Sequence, residues 1–286
     1  MYKDFSLEYI QDIFHHYKET ETKYLPLPNY MKLQRHITER NRSILIDWII
    51  DIHQKIKYER ETIFLCVNII DRILSINYHV TPKELHLIGL TALVISAKIN
   101  ETKFYGMKDY ERFCNCCYSV KDIIKMELTI CTKLKFAFLI VSPNQLISVM
   151  LLCIKHYDIT LQKKFQSVCE FLTEIALMYI KMLNFPPSKL AASAIYYAAK
   201  ILLGNEFSWM KQFRSFIGYM EEDILECVET YVLCLKRYFD DNKFTAIKRK
   251  FAIEKDNEIG ATYLVKRSMS KLLSKSNLVI LQHERL

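Results

Sequence analysis

Nine cysteines and eight histidines are the residues from which this 286-residue chain could build a catalytic or metal centre. Their spacing argues against one. Cys114, Cys116 and Cys117 crowd together, but no second pair stands where it would complete a zinc site. Cys66, Cys131, Cys153, Cys169, Cys227 and Cys234 lie inside apolar periodic stretches and read as small buried hydrophobes in a reducing compartment. His15 and His16 are adjacent, without a partnering cysteine or carboxylate motif. No Gly-rich phosphate loop and no nucleophile signature occurs. The chain is therefore expected to hold no catalytic residue, no metal and no cofactor. Among the charges, Lys98 follows a long apolar run and Glu127 lies in the next periodic segment. Read alone, such a lysine marks where a helix reaches water.

The elements that must carry these residues read as helices. Half of the chain is hydrophobic (51%), while there are only 5 glycines and 6 prolines. Few turn-formers over this length favour long helices with short connections, an all-α fold. Thr81-Pro82-Lys83-Glu84 has a capping threonine, proline at the first helical position and glutamate three residues after the cap. Ser142-Pro143-Asn144-Gln145 repeats the device, and Ser119-Val120-Lys121-Asp122 is a shorter-armed version. Ile44, Leu45, Trp48, Ile49 and Ile52 form one apolar stripe, as do Ile63, Phe64, Val67, Ile70 and Leu74. The run from Leu85 to Ile99 is apolar nearly all round and must be surrounded by other helices.

That buried run recurs. Leu87 to Ile99 resembles Lys189 to Ile201, with Lys98 opposite Lys200 and small residues Gly89, Ala92 and Ala97 matched by Ala191, Ala194 and Ala199. The spacing divides the chain into an N-terminal helix and linker (1–40), two helical units (41–140 and 141–240) and a C-terminal tail (241–286). Leu7, Tyr9, Ile10, Ile13 and Phe14 make residues 7–20 an amphipathic helix, and Tyr263 to Leu273 is a further helical segment. Formal charge is +8, but the bases are scattered. The densest cluster, Lys248-Arg249-Lys250, reads as a solvated tail segment more readily than as a nuclear address. Lys3, Asp4 and Glu8 interrupt any signal-peptide start, and the longest uncharged run in the first half, about 13 residues, is too short to span a bilayer. A soluble protein of nucleus and cytoplasm is expected, binding neither nucleic acid nor membrane.

Several ordered segments resemble the A- and B-type (G2/mitotic-specific) cyclins. Asn41-Arg42-Ser43-Ile44-Leu45-Ile46-Asp47-Trp48 is similar to the opening of that family's first box, and Glu61 to Ser75 to its second helix. Leu85 to Gly89 and Ser96 to Glu101 resemble the ends of the third. Phe185-Pro186-Pro187-Ser188-Lys189-Leu190 and Ile247 to Ala252 agree farther on. The likeness runs from about Glu8 to about Leu273. It implies two tandem five-helix cyclin boxes with an N-terminal helix and a C-terminal tail, and a regulatory subunit that activates a cyclin-dependent kinase.

The resemblance also assigns residues. Lys98 and Glu127 match charges that hydrogen-bond kinase backbone, and Ile99 and Phe136 match apolar positions on the same kinase helix; their alternative is plain core. Tyr9 and Ile10 are further interface candidates. Ile44, Leu45, Trp48, Leu85 and Leu87, with Asp51 beside them, match a docking patch for basic-apolar substrate or inhibitor peptides; the alternative is that this stripe packs inward. The chain departs from the pattern at Asn41, where methionine is frequent, and His86, where glutamine is. Arg42 and Asp71 match a bracing pair, and Asp47 belongs to the same scaffold. Two-repeat initiation factors that bind DNA, and transcriptional cyclins, are the rival readings on the same fold. No destruction-box pattern lies outside the folded boxes, so degradation by another route, no cyclical proteolysis or a truncated form are the expectations.

Overall fold

Side-chain caps decide where these helices begin. Thr38 accepts the Asn41 amide at 3.3 Å while the Asn41 side chain accepts the Thr38 amide at 2.9 Å, which starts a helix two residues ahead of Asn41. Ser119 with Asp122 and Ser142 with Gln145 make the same reciprocal pair. At Thr81 the threonine accepts the Glu84 amide, with Pro82 in the first turn.

The structure, a computed structural model, describes residues 9–152, 159–204, 216–252 and 260–275, with side chains to residue 269. Among them there is no strand. Helix α1 (Ile10–Thr20) precedes the first unit, which comprises α2 (Glu39–Ile56), α3 (Arg60–Leu74), α4 (Pro82–Asn100), α5 (Met107–Phe113) and α6 (Val120–Lys133). The second unit contains α7 (Pro143–Leu152), α8 (Ile159–Met178), α9 (Pro187–Leu202) and α10 (Glu221–Asp240). Short α11 (Ala246–Lys250) and α12 (Ala261–Lys275) follow. Leu7 of the expected first helix, and Cys153, lie outside the described residues.

Each unit wraps its neighbours round one central helix, α4 or α9, as the all-round apolar pattern requires. Small residues make this possible: a Cβ on Gly89 would stand 2.6 Å from Leu45 Cδ1, so α2 can lie against α4 only without it. Leu45 and Leu85 are consequently buried, at 5% and 3% exposure.

Buried polar contacts join the units. Arg42 donates twice to Asp71 at 2.7 Å and once to the Leu177 carbonyl at 3.0 Å, and Ser43 donates to the Met178 carbonyl. Tyr30 donates to the same Asp71 carboxylate, so the bracing pair reaches the N-terminal linker and the second unit as well. Glu61 on α3 accepts Ser142 and Asn144 at the start of α7. The first helix belongs with the second unit: Glu21 is buried and accepts the Ser188 amide and hydroxyl at the head of α9, and Lys18 donates to the Ile217 carbonyl.

The basic tail run is held against the body by hydrogen bonds and ion pairs, with Arg249 exposed and Lys248 and Lys250 half-buried. Asp47 accepts the Ala246 amide at 3.1 Å, Arg249 pairs with Asp51 at 2.6 Å, and Lys250 pairs with the buried Glu174 at 2.6 Å. Lys248 donates to the Asp241 carbonyl and lies over the Tyr238 ring. Helix α11 is thus clasped between α2 and α8, where Arg60 also pairs with Glu170.

Candidate functional site

Lys98 stands in the last turn of α4 and Glu127 in the middle of α6. Packing of α6 on α4 brings them to 2.5 Å, Lys98 donating, with side-chain exposures of 40% and 18%. Lys98 therefore does not simply reach water: its ammonium is held by a carboxylate that still has open coordination. An ion pair this exposed contributes little to stability, about 1 kcal/mol or less. Its use is as a fixed donor and acceptor standing side by side.

The same two helices, and the chain just after α6, carry apolar side chains that the fold leaves uncovered. Ile99 (43%), Leu128 (66%) and Phe136 (68%) are all exposed, as are Ile124 and Leu139. Single exposed apolar side chains are ordinary, but a group of them on the elements that carry a charge pair marks an interaction surface.

Phe136 is placed there by an uncommon backbone. Helix α6 closes with the Phe136 amide on the Cys131 carbonyl and the Lys135 amide on the Thr132 carbonyl, the pattern that usually puts glycine in the left-handed position. Here Lys135 occupies it and Phe136 follows in the same conformation, at φ 53° and 55°. Each left-handed non-glycine residue costs about 1–2 kcal/mol. Arg72 on α3 helps hold the turn by donating to the Ala137 carbonyl at 2.6 Å.

Among the described residues, the second unit repeats the helices with a different surface at the matching positions. Lys200 corresponds to Lys98, but, counted from the caps Ser119 and Met220, Glu127 corresponds to Val228, which is buried. Exposed Leu128 is matched by exposed Glu229. Where α6 ends at Lys133, α10 runs helical to Asp240 and so has no turn like that of Phe136.

The expected docking stripe is divided. Ile44 is exposed (49%), and Trp48, His86 and Leu87 are half-buried, whereas Leu45 and Leu85 pack inward and leave that surface. The His86 ring lies 4.3 Å from the Trp48 ring, in the place expected of a glutamine. Tyr118 donates to the Lys83 carbonyl at 2.8 Å, so its oxygen accepts from His86 Nδ1 at 3.2 Å. That leaves His86 Nε2 as an acceptor, and burial lowers the imidazole pKa, keeping it neutral. Asn41 serves as the capping partner of Thr38, which explains the absence of methionine there. Asp51 is shared between Lys55 and Arg249.

Of the two residues proposed on the first helix, Tyr9 is exposed and Ile10 is not, at 57% and 3%. Ile10 turns toward the second unit because α1 packs along α7. Ile124, Leu128 and Leu139 were not foreseen. Their signal was an α6 with apolar residues on two faces, Ile123 and Ile130 inward and Ile124 and Leu128 outward. No group of three or more metal-ligating side chains occurs among the described residues, and no helix there is long and apolar enough to cross a membrane.

The chain matches the N-terminal domain of cyclins over residues 12–138 and the C-terminal domain of cyclins over residues 143–263. It is 35% identical over 249 residues to Cyclin-B2-4 of Arabidopsis thaliana, covering 87% of this chain and 56% of that protein. It is 33% identical over 248 residues to G2/mitotic-specific cyclin-1 of Medicago sativa subsp. varia, with coverage of 87% and 56%. The chain thus spans little more than half the length of these relatives. Among solved structures, a viral cyclin from herpesvirus saimiri superposes with a TM-score of 0.67 at 18% identity, covering 77% of this chain and 94% of that chain.

Proposed function

The chain belongs to the cyclin family, and we propose that it binds and activates a cyclin-dependent serine/threonine kinase of the G2/mitotic phase, acting as a regulatory subunit without catalysis of its own. The observation that carries this reading is the surface of the first unit: a lysine–glutamate pair between two packed helices that also expose Ile99 and Leu128, with exposed Phe136 in the turn that follows.

Lys98 donates to carbonyls and Glu127 accepts amide protons at the kinase helix that carries the catalytic glutamate, while the apolar residues cover that helix. Water leaves the surface on binding, so the two charges fix orientation as well as affinity. A free kinase holds the helix displaced, with its lysine–glutamate pair broken. A partner that binds only the inward position shifts the population toward the active arrangement. Ile44 and Trp48, with His86 Nε2 beside them, form a second surface suited to a short basic-apolar peptide from a substrate or inhibitor.

The test is histone-kinase activity of a purified, inactive cell-cycle kinase with this chain added, beside a Lys98→Ala, Glu127→Ala variant. Strong activation by the parent, reduced about 30-fold or more in the variant, is the expected result, since truncating desolvated charge pairs costs about 2–5 kcal/mol. No activation of any of several kinases by the folded parent would overturn it.

A further inference from the structure

The described cysteines fall into two groups. Cys66, Cys131, Cys169, Cys227 and Cys234 are buried, and burial pushes their thiols up, out of reactive range. Cys114, Cys116 and Cys117 instead share one turn between α5 and α6, with Cys114 buried and the other two exposed. Nothing in the kinase-binding surface uses them.

The geometry of that turn pairs two of the three. Cys114 ends α5, Asn115 and Cys116 are left-handed at φ 52° and 57°, and the Cys117 amide returns to the Cys114 carbonyl at 3.1 Å. A hydrogen-bonded four-residue turn holds its first and last Cα atoms within about 7 Å. A disulfide needs about 4.4–6.8 Å. The turn thus holds the two Cα atoms near the range a bridge spans, while Cys114 is buried and Cys117 exposed, so closing the bond must turn the two side chains toward each other and move the turn. Adjacent Cys116 and Cys117 could close only a small ring that forces their peptide out of trans planarity. The Cys114 thiol already donates to the Glu111 carbonyl at 3.1 Å and would give up that contact on bonding.

The next residue connects the turn to the Trp48 surface. Tyr118 is buried, with its hydroxyl held between the Lys83 carbonyl and His86, and His86 lies on Trp48. Ser119 immediately caps α6, so the chain from Cys117 to the cap has little slack.

We propose that Cys114 and Cys117 are a redox-active dithiol, closed by exchange with a small-molecule disulfide, and that closure displaces Tyr118 and so resets His86 against Trp48. The exposed Cys117 thiolate attacks one sulfur of oxidised glutathione and expels one glutathione thiol. Cys114 then attacks the Cys117 sulfur of the mixed disulfide and expels the second. Two electrons and two protons leave the protein, and the small disulfide becomes two thiols. Exchange in the opposite direction with a reducing thiol reopens the bridge. Its consequence for peptide docking rests on the docking reading above; the bond and the movement of Trp48 do not.

The experiment treats the folded chain with oxidised glutathione, maps the bond by mass spectrometry and follows indole fluorescence in a Trp209→Phe background, where Trp48 is the remaining tryptophan. The expected result is a loss of two hydrogens on the peptide holding Cys114 and Cys117, reversed by a reducing thiol, with a fluorescence shift that reverses with it. Cys116→Ser should retain both effects. Cys117→Ser, altered at an exposed position that does not threaten folding, should lose both. A Cys116–Cys117 bond, glutathione adducts without a bridge, or no reaction would overturn the dithiol. A bridge that leaves the fluorescence unchanged would overturn the link to Trp48.

Discussion

The two cyclin units are built from the same helical plan and end in opposite surfaces. In the first, α6, which carries Glu127 onto Lys98, stops at Lys133 and a left-handed turn puts Phe136 into solvent. In the second, α10 continues to Asp240, the position matching Glu127 is the buried Val228, and Glu229 covers the place of Leu128. What differs is how each unit is used by the rest of the chain. The second unit receives α1 through Glu21 and Ser188, whereas the tail helix α11 is shared, held by Asp47 and Asp51 of the first unit and by Glu174 of the second. Its faces are spent on internal contacts. The first unit keeps one face unspent, at a cost in strain and exposed apolar area. A duplicated fold can thus specialise by where its extra segments pack.

The division depends on the units being held together, and the largest effect should come from breaking that hold. Arg42→Ala would strand the Asp71 carboxylate, which is 1% exposed, and remove the bond to the Leu177 carbonyl. It is expected to lower stability in denaturant by about 3–5 kcal/mol. The exposed Arg40–Asp241 pair provides the contrast, and Arg40→Ala should cost less than about 1 kcal/mol.

His53 sharpens the comparison from the packed side. It lies under the tail clasp, where burial and then the nearby Lys250 charge lower its pKa from 6.5 to about 4. The unfolded chain takes up that proton near pH 6.5, and the folded chain refuses it until about pH 4. The contribution of this group is therefore complete above the unfolded value and is lost as the pH falls toward 4, by about 3 kcal/mol in all. An NMR titration should place the His53 midpoint near 4, and a midpoint near 6.5 would mean that the clasp is open in solution.

Phe136→Gly separates function from stability at the unspent face. Glycine accepts φ 55° freely, so stability should hold or rise by up to about 1 kcal/mol. Kinase affinity should fall by about 2 kcal/mol, roughly 30-fold, as for a central aromatic anchor, measured by calorimetry. A stability loss without an affinity loss would return Phe136 to the role of packing residue.

Much of this was legible in the sequence. Caps at Thr81, Ser119 and Ser142 marked helix starts, and the echo of Lys98 in Lys200 revealed the repeat. Periodicity tells which residues share a helix face but not which faces a third element covers. Leu45 and Leu85, open between docking surface and core, and Ile10, offered as an interface residue, are therefore settled only by packing, which buries all three. The tail run that read as solvated is held through Ala246, Arg249 and Lys250 by Asp47, Asp51 and Glu174, about 75 to 200 residues earlier. The turn at Lys135 and Phe136 carried no glycine to announce it. The pairing of Lys98 with Glu127 rests on α4 packing against α6, which spacing alone does not supply.

The most direct measurement is hydrogen–deuterium exchange of this chain, free and bound to an inactive cell-cycle kinase. Slowed exchange at residues 98–105 and 127–139, with residues 200–204 and 228–240 unchanged, is the predicted result. Protection confined to the second unit, in a complex shown to have formed, would contradict the account.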